Sequence, residues 1–195
     1  QVLLLTLGLS MGRAGVVDRA SPFGLAYAAL ACQHPRGAVP AVLGALIGAH
    51  SIGGRTQVAF LITGLAIFLI LSRLAPFRRR PELGVTCAVP PARLILDFPQ
   101  PFHPPYLIEL GLEVFVGFLW TSLAVQALAP GRNPASPGPS RVISAGFVLL
   151  AGLCGLRGLG FGSFDLFMAG SALMIGVSAW VTGVQLPLVV GLAAG

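Results

Sequence analysis

Long apolar runs alternate along this chain with short breaks rich in proline, glycine and arginine. A helix that crosses the roughly 30 Å hydrocarbon core of a bilayer needs about 20 mostly apolar residues. Residues 38–54, 57–72, 107–129 and 142–156 meet or approach that length on apolarity alone. Residues 164–183 make a fifth run, marred by Asp165 at its mouth. Residues 2–17 are interrupted by Arg13, and 22–33 form a short apolar run. Residues 83–98 are the weakest span, with Pro90, Pro91 and Arg93 in the middle. Residues 184–195 finish the preceding span or begin another. The pattern predicts an all-α fold, a polytopic transmembrane helix bundle of about eight spans, with 1–195 as one transmembrane domain. The segments 75–81, 99–105 and 130–140 are too proline-dense to continue a helix and read as loops between spans. None is long enough to be a domain, and no internal repeat is visible.

Composition agrees. Only 9% of the 195 residues are charged and 55% are apolar, against about 25% charged in an ordinary soluble domain. Mean hydropathy is +0.89, which excludes intrinsic disorder. All 12 basic residues are arginine. They are scattered between apolar runs, with no basic face interleaved with aromatics, so a nucleic-acid partner is not expected. The bilayer is the expected partner. Cys32, Cys87 and Cys154 form no paired ligand spacing and read as small apolar residues within the membrane. Residues 2–17 do not read as a cleaved signal, because no basic region precedes them and Arg13 follows. The first residue is Gln and the last five are Gly-Leu-Ala-Ala-Gly, which reads as a fragment cut at both ends.

Orientation follows from counting arginines in the short loops. With eight crossings and the N-terminus inside, seven arginines fall inside: Arg36, Arg73, Arg78, Arg79, Arg80, Arg132 and Arg141. Three fall outside: Arg19, Arg55 and Arg157. Arg13 and Arg93 lie within spans. The cluster Arg78-Arg79-Arg80 directly follows a span and is assigned to topology. Such clusters attract anionic lipid at about 1 kcal/mol per charge near the surface.

Charge inside a membrane is costly and usually faces the bundle interior. Glu109 and Glu113 are four apart and share one helix face. Glu109 reaches the interface. Glu113 sits a turn deeper and reads as a structural intramembrane residue, paired across helices with Arg13 or Arg93; a proton or ion relay is the sharper alternative. Arg13, near a span end, snorkels or pairs with an acid. Gly8-x-x-x-Gly12, Gly44-x-x-x-Gly48 and Gly191-x-x-x-Gly195 each put two glycines on one face, which in lipid permits close backbone approach. They read as helix packing within the chain, with self-association as the alternative. His34, His50 and His103 are far apart and make no metal site, and Asp18, Asp97 and Asp165 sit at different span ends. No catalytic, cofactor-binding or metal-ligating residue is expected. Gly158-x-Gly160-x-Gly162 reads as a turn between spans, since no βαβ unit frames it.

Several stretches, in order, resemble the N-terminal membrane region of the stage II sporulation protein E family. They are Leu9-Ser-Met-Gly-Arg-Ala14, Ser21-Pro-Phe-Gly-Leu-Ala26 and Ala41-Val-Leu-Gly-Ala-Leu-Ile-Gly-Ala-His-Ser51, then the span with Glu113 ending near Gln126, then Val148–Gly158. The resemblance runs from Val2 to Gly195. It implies about ten spans in the whole protein, followed by a cytoplasmic oligomerisation region and a metal-dependent serine/threonine phosphatase domain. That domain, which would use manganese or magnesium, is absent from this chain. In the family the phosphatase activates the forespore sigma factor by dephosphorylating an anti-anti-sigma factor at the sporulation septum, with a division-ring protein as partner. This chain would then be no enzyme. It would anchor and cluster the phosphatase in the bacterial cytoplasmic membrane. Two features depart from the family pattern: the prolines within 83–98 and the proline-rich loop 130–140. The rival reading is a small polytopic transporter or permease subunit. Sparse intramembrane polarity argues against it.

Overall fold

The computed structural model describes residues 1–14, 22–97, 104–128, 139–157, 160–161, 164–165 and 171. Among them the fold is all-helical apart from one two-residue ladder. The helices are α1 (Val2–Arg13), α2 (Pro22–Ala31), α3 (Pro35–Leu71), α4 (Ala75–Arg79), α5 (Pro81–Asp97), α6 (Pro104–Leu128) and α7 (Pro139–Cys154). The ladder pairs β1 (Gly160–Phe161) with β2 (Phe164–Asp165) antiparallel, Gly160 opposite Asp165 and Phe161 opposite Phe164.

Local sequence sets the helix ends. Proline opens α2, α3, α5, α6 and α7 as first residue, where its missing N–H is no loss and its φ suits a helix. α1 ends because Ala14 is extended, at φ −70° and ψ 100°. α2 ends in a tight turn: Gln33 N–H bonds Leu30 O and His34 N–H bonds Ala31 O, after which Pro35 starts α3.

Two helical stretches are long and apolar enough to cross a membrane, Gly37–Leu71 and Pro105–Leu128. The first is not straight. Gly54, at φ 58° and ψ −139°, breaks α3 into two halves. Ala28, Ala45, Ala49 and Leu61 form one buried cluster. On a straight helix Ala49 and Leu61 would stand about 18 Å apart, farther than one alanine can bridge. The halves therefore fold back on each other around α2.

Side-chain contacts fix the direction of each segment. α1 runs parallel to the first half of α3: Gly8 lies against Ala41 and Gly12 against Ala45. α2 returns, with Tyr27 near its end donating to Leu4 O at 2.9 Å. α5 runs against the second half of α3, Gly84 against Phe68 at its start and Ala92 clustered with Phe60 near its end. α6 runs back, joined at Arg93–Glu113 and at Val85–Gly117. α7 reverses again: Ser144 Oγ donates to Gln126 Oε1 at 3.1 Å, and Arg141 Nε donates to Ala127 O at 2.9 Å. Seven segments thus alternate in direction. One end of the bundle gathers Arg36, Arg73, Arg78, Arg79, Arg80 and Arg141. The other gathers Arg13, Ser51, Gly54, Arg55, Asp97 and Arg157.

Radially, the outer wall is apolar as well as the core, unlike that of a water-soluble bundle, and a few polar residues are enclosed. Val2, Val39, Ile70, Ile95, Ile108, Phe115 and Phe147 are exposed, while Ser10, Gln57, Arg93, Glu113, Thr121 and Ser144 are buried. The core is built largely of alanine and glycine, with Met11, Leu25, Phe60, Phe68, Val85, Val89 and Trp120 filling the spaces between helices.

Several predicted boundaries change. The spans predicted at 38–54 and 57–72 are the two halves of α3, and the Gly53-Gly54 pair separates them. Within 2–17, helix stops at Arg13 where Ala14 turns extended; 15–17 lie outside the described residues. Within 22–33, the turn at Cys32 stops α2 at Ala31. At 12 and 10 residues, α1 and α2 measure only about 18 and 15 Å. The weak stretch 83–98 is helical over Pro81–Asp97 despite Pro90 and Pro91. Each proline removes one donor from the ladder, yet Val85, Ala88, Val89 and Ala92 bury one face of α5 completely, and that packing holds the helix. The run 107–129 is helical from Pro104 and 142–156 from Pro139. The span predicted at 164–183 does not begin as helix: Phe164 and Asp165 pair as a strand with Gly160 and Phe161. Most of the rest of that run lies outside the described residues, as does Gly191-x-x-x-Gly195.

Candidate functional site

The buried charge sits between α5 and α6. Arg93 belongs to the α5 face that carries Val89 and Ala92, and Glu113 to the α6 face that carries Gly117, Trp120, Thr121 and Ala124. The antiparallel packing brings them opposite each other. Arg93 Nε donates to Glu113 Oε2 at 2.9 Å and Nη2 donates to Oε1 at 2.6 Å. Both residues are buried, at 5% and 3% exposure. This is the two-pronged geometry in which a planar guanidinium matches a carboxylate best. The guanidinium carbon also lies 4.9 Å from the Phe60 ring centroid, within cation–π range. Asp97, one turn along α5, reaches Arg93 Nη1 at 4.0 Å. Tyr106 stands beside Asp97 at the start of α6. Three elements therefore close around one guanidinium.

Chemically the arrangement is a clasp. Glu113 spends both oxygens on Arg93. A carboxylate and a guanidinium so paired cancel most of each other's charge inside the bundle, whereas either alone would be severely penalised there. Asp97 adds a second carboxylate on the more exposed side. Glu109 is half-buried, one turn from Glu113.

A second polar site lies at the same end of the bundle. Arg13 closes α1, and its Nε donates to Gly155 O at 3.0 Å while Nη1 donates to Ser51 Oγ at 2.7 Å. Ser51 Oγ in turn donates to Gly48 O at 2.7 Å. A cation at the carbonyl end of α7 is also favoured by the helix dipole. Ser10 donates its hydroxyl to Gly152 O. Arg13 and Ser10 thus tie α1 to α7, and Arg13 ties both to α3.

The glycines set how close these helices come. A Cβ at Gly8 or Gly12 would press into the backbone of Ala41 and Ala45; one at Gly44 or Gly48 would press into Leu5 and Leu9. Gly155 lies equally tight against Ser10 and Ala14. Of the two readings of these glycines, packing within the chain is the contact the structure contains. Backbone carbonyls of one helix rest on the glycines of the next, the close-approach packing that small residues permit in lipid.

Of the residues singled out from sequence, Arg13 and Glu113 are not brought together: Glu113 takes Arg93, and Arg13 takes Ser51 and Gly155. Arg78 and Arg79 lie in the last turn of α4 with Arg80 as its C-cap, all three exposed. His34 and His50 are exposed; His103 is outside the described residues. Cys32, Cys87 and Cys154 are free thiols. Among the described residues no group of three or more His, Cys, Asp and Glu could hold a metal ion. Asp97 as a partner of Arg93 was missed, although their i,i+4 spacing on one helix is a readable signal. Ser10, Ser51, Gly152 and Gly155 were missed too, since a lone serine or glycine in an apolar run announces no partner. Comparison with protein-family models, with curated proteins and with solved structures finds no match for this chain.

Proposed function

We propose that this chain is a polytopic membrane domain that anchors and clusters a protein in the bacterial cytoplasmic membrane, without chemistry of its own. The observation that carries the reading is the combination of alternating helix direction, an apolar outer wall and arginines gathered at one end. Arg36, Arg73, Arg78, Arg79, Arg80 and Arg141 would face the cytoplasm by the positive-inside rule. On this reading seven segments cross, the short α1 and α2 at local thin points or with flanking residues; the further crossing that the sequence pattern places at 164–183 lies almost wholly outside the described residues.

The motifs quoted above suggest the stage II sporulation protein E family as the setting. The membrane domain would then hold a metal-dependent serine/threonine phosphatase at the sporulation septum beside a division-ring protein. Two of those motifs, Gly12-Arg13-Ala14 and Gly44 to Ser51, meet in the clamp between α1, α3 and α7. A scaffolding role fits that close packing, because an anchor needs a defined shape and no open path. The closed Arg93–Glu113 pair fits the same role better than a transport site, which must release what it binds.

A fluorescent fusion in sporulating cells tests the reading. The expected result is a band at the asymmetric septum, together with a coding sequence downstream of Gly195 that adds a soluble domain with phosphatase-type aspartates. Uniform membrane labelling, or a genome without a spore programme, overturns it. The transporter alternative draws on Asp97, whose carboxylate exceeds what Arg93 and Glu113 need for neutrality. It predicts solute flux in proteoliposomes that Glu113→Gln abolishes.

A further inference from the structure

We infer that the α3–α4–α5 corner binds the headgroup of an anionic phospholipid, through Arg73, Arg78, Arg79 and Arg80. This inference rests on the membrane reading above and adds a ligand to it.

The four guanidiniums fall within eight residues of chain, and all four residues are exposed. Among the described residues, ion pairs within 4.0 Å involve Arg93 alone, so this corner is not neutralised from within. The nearest acid in sequence is Glu82, which is half-buried with Oε2 out of solvent contact and forms no ion pair with these arginines within 4.0 Å. Four unpaired cations on one corner repel one another, and an external anion relieves that repulsion.

The surroundings select a lipid over a free anion. Directly beside the arginines, Leu69, Ile70 and Leu74 are 45%, 67% and 53% exposed. A phosphate held by the arginines would have its acyl chains against this apolar wall. A soluble phosphate would use the charge and leave the wall bare. Arginine forks match phosphate oxygens two at a time, which lysine cannot do. Among the described residues the opposite end of the bundle offers no equivalent: Arg13 is committed to Ser51 and Gly155, and Arg55 and Arg157 stand on separate segments.

The test uses the full chain purified in a mild neutral detergent, with phosphatidylglycerol or phosphatidylcholine titrated in and retained lipid counted by native mass spectrometry. Alkaline extraction of the source membranes comes first, and a chain released by it overturns both the membrane reading and this site. For a chain that stays in the membrane, the expected result is preferential retention of phosphatidylglycerol. Each arginine contributes about fivefold, the equivalent of about 1 kcal/mol per charge. R78Q/R79Q/R80Q then loses the preference by about a hundredfold, whereas R55Q/R157Q keeps it. R78K/R79K/R80K preserves the charge that fixes topology, and so stays informative if the glutamine variant inserts wrongly; it is expected to bind more weakly than the arginine form. Equal retention of the two lipids by the unaltered chain overturns the site while leaving the membrane reading intact. So does full displacement of phosphatidylglycerol by inorganic phosphate, which would make the acyl chains irrelevant.

Discussion

Arg93 and Glu113 lie on neighbouring antiparallel helices and share two hydrogen bonds of 2.9 and 2.6 Å with almost no exposure to the surroundings. Each is tolerable there only because of the other. Removing one leaves an uncompensated charge, which costs about 3–5 kcal/mol in buried pairs, whereas replacing both by apolar residues is often neutral. Glu113→Leu is therefore expected to destabilise the bundle strongly, and Arg93→Met/Glu113→Leu to recover most of the loss. Unfolding in mild detergent with added SDS, followed by helicity, gives both numbers. If the double variant is as unstable as the single one, the pair does more than neutralise charge.

The glycine contact between α1 and α3 makes a second prediction. At Gly12 and Gly44 an added methyl meets backbone, which cannot rotate away. Gly12→Ala and Gly44→Ala should each cost about 1–3 kcal/mol, the range for overpacking a filled interior. Gly111→Ala is the control, because a Cβ there meets nothing within 4 Å and alanine is the better helix former by about 1 kcal/mol. The same unfolding assay separates them. A neutral Gly12→Ala would mean that the helices stand farther apart than described.

Much of this architecture is legible in the sequence, for identifiable reasons. Apolar runs and proline breaks mark the helices, because proline cannot continue a helix and a long apolar run out of water must satisfy its backbone polar groups within itself. The break after Gly54 is visible because one apolar run ends there, Arg55 follows and the next run begins at 57, and the Gly-x-x-x-Gly spacing marks the faces that meet. Partner choice is not legible. Glu113 had two arginines open to it, Arg13 and Arg93, and only the antiparallel run of α5 against α6 decides between them. The shortness of α1 and α2 is also hidden, since Leu, Ala and Val read the same at a helix end as in its middle. The strand pair at Gly160–Asp165 is invisible for a similar reason: two phenylalanines beside a membrane-like run look like the start of that run.

Gly54 supplies a prediction about backbone alone. Its φ of 58° with ψ of −139° lies where side chains with a Cβ are strongly disfavoured, and an added Cβ meets no neighbour within 4 Å. Any loss in Gly54→Ala is thus conformational. It is expected at about 1–3 kcal/mol, with the helix content of each half retained. A neutral substitution would indicate that the chain passes from one half of α3 to the other by a different route.

The fold-back of α3 has a topological consequence that labelling can read. If α3 crossed once as an unbroken rod, His34 and Leu74 would lie on opposite sides of the membrane. Folded at Gly54, they lie at the same end of the bundle, with Thr56 at the other. All three positions are exposed, so single cysteines there, in a chain whose three native cysteines are replaced by serine, are open to a membrane-impermeant maleimide. On the membrane reading proposed above, in intact cells Thr56→Cys should label, while His34→Cys and Leu74→Cys should label only after permeabilisation, because the positive-inside rule would put the end with Arg36, Arg73 and the Arg78–Arg80 cluster in the cytoplasm. Labelling of His34→Cys without Leu74→Cys would replace the hairpin by a single crossing. Labelling of both, with Thr56→Cys protected, would keep the hairpin and reverse the orientation.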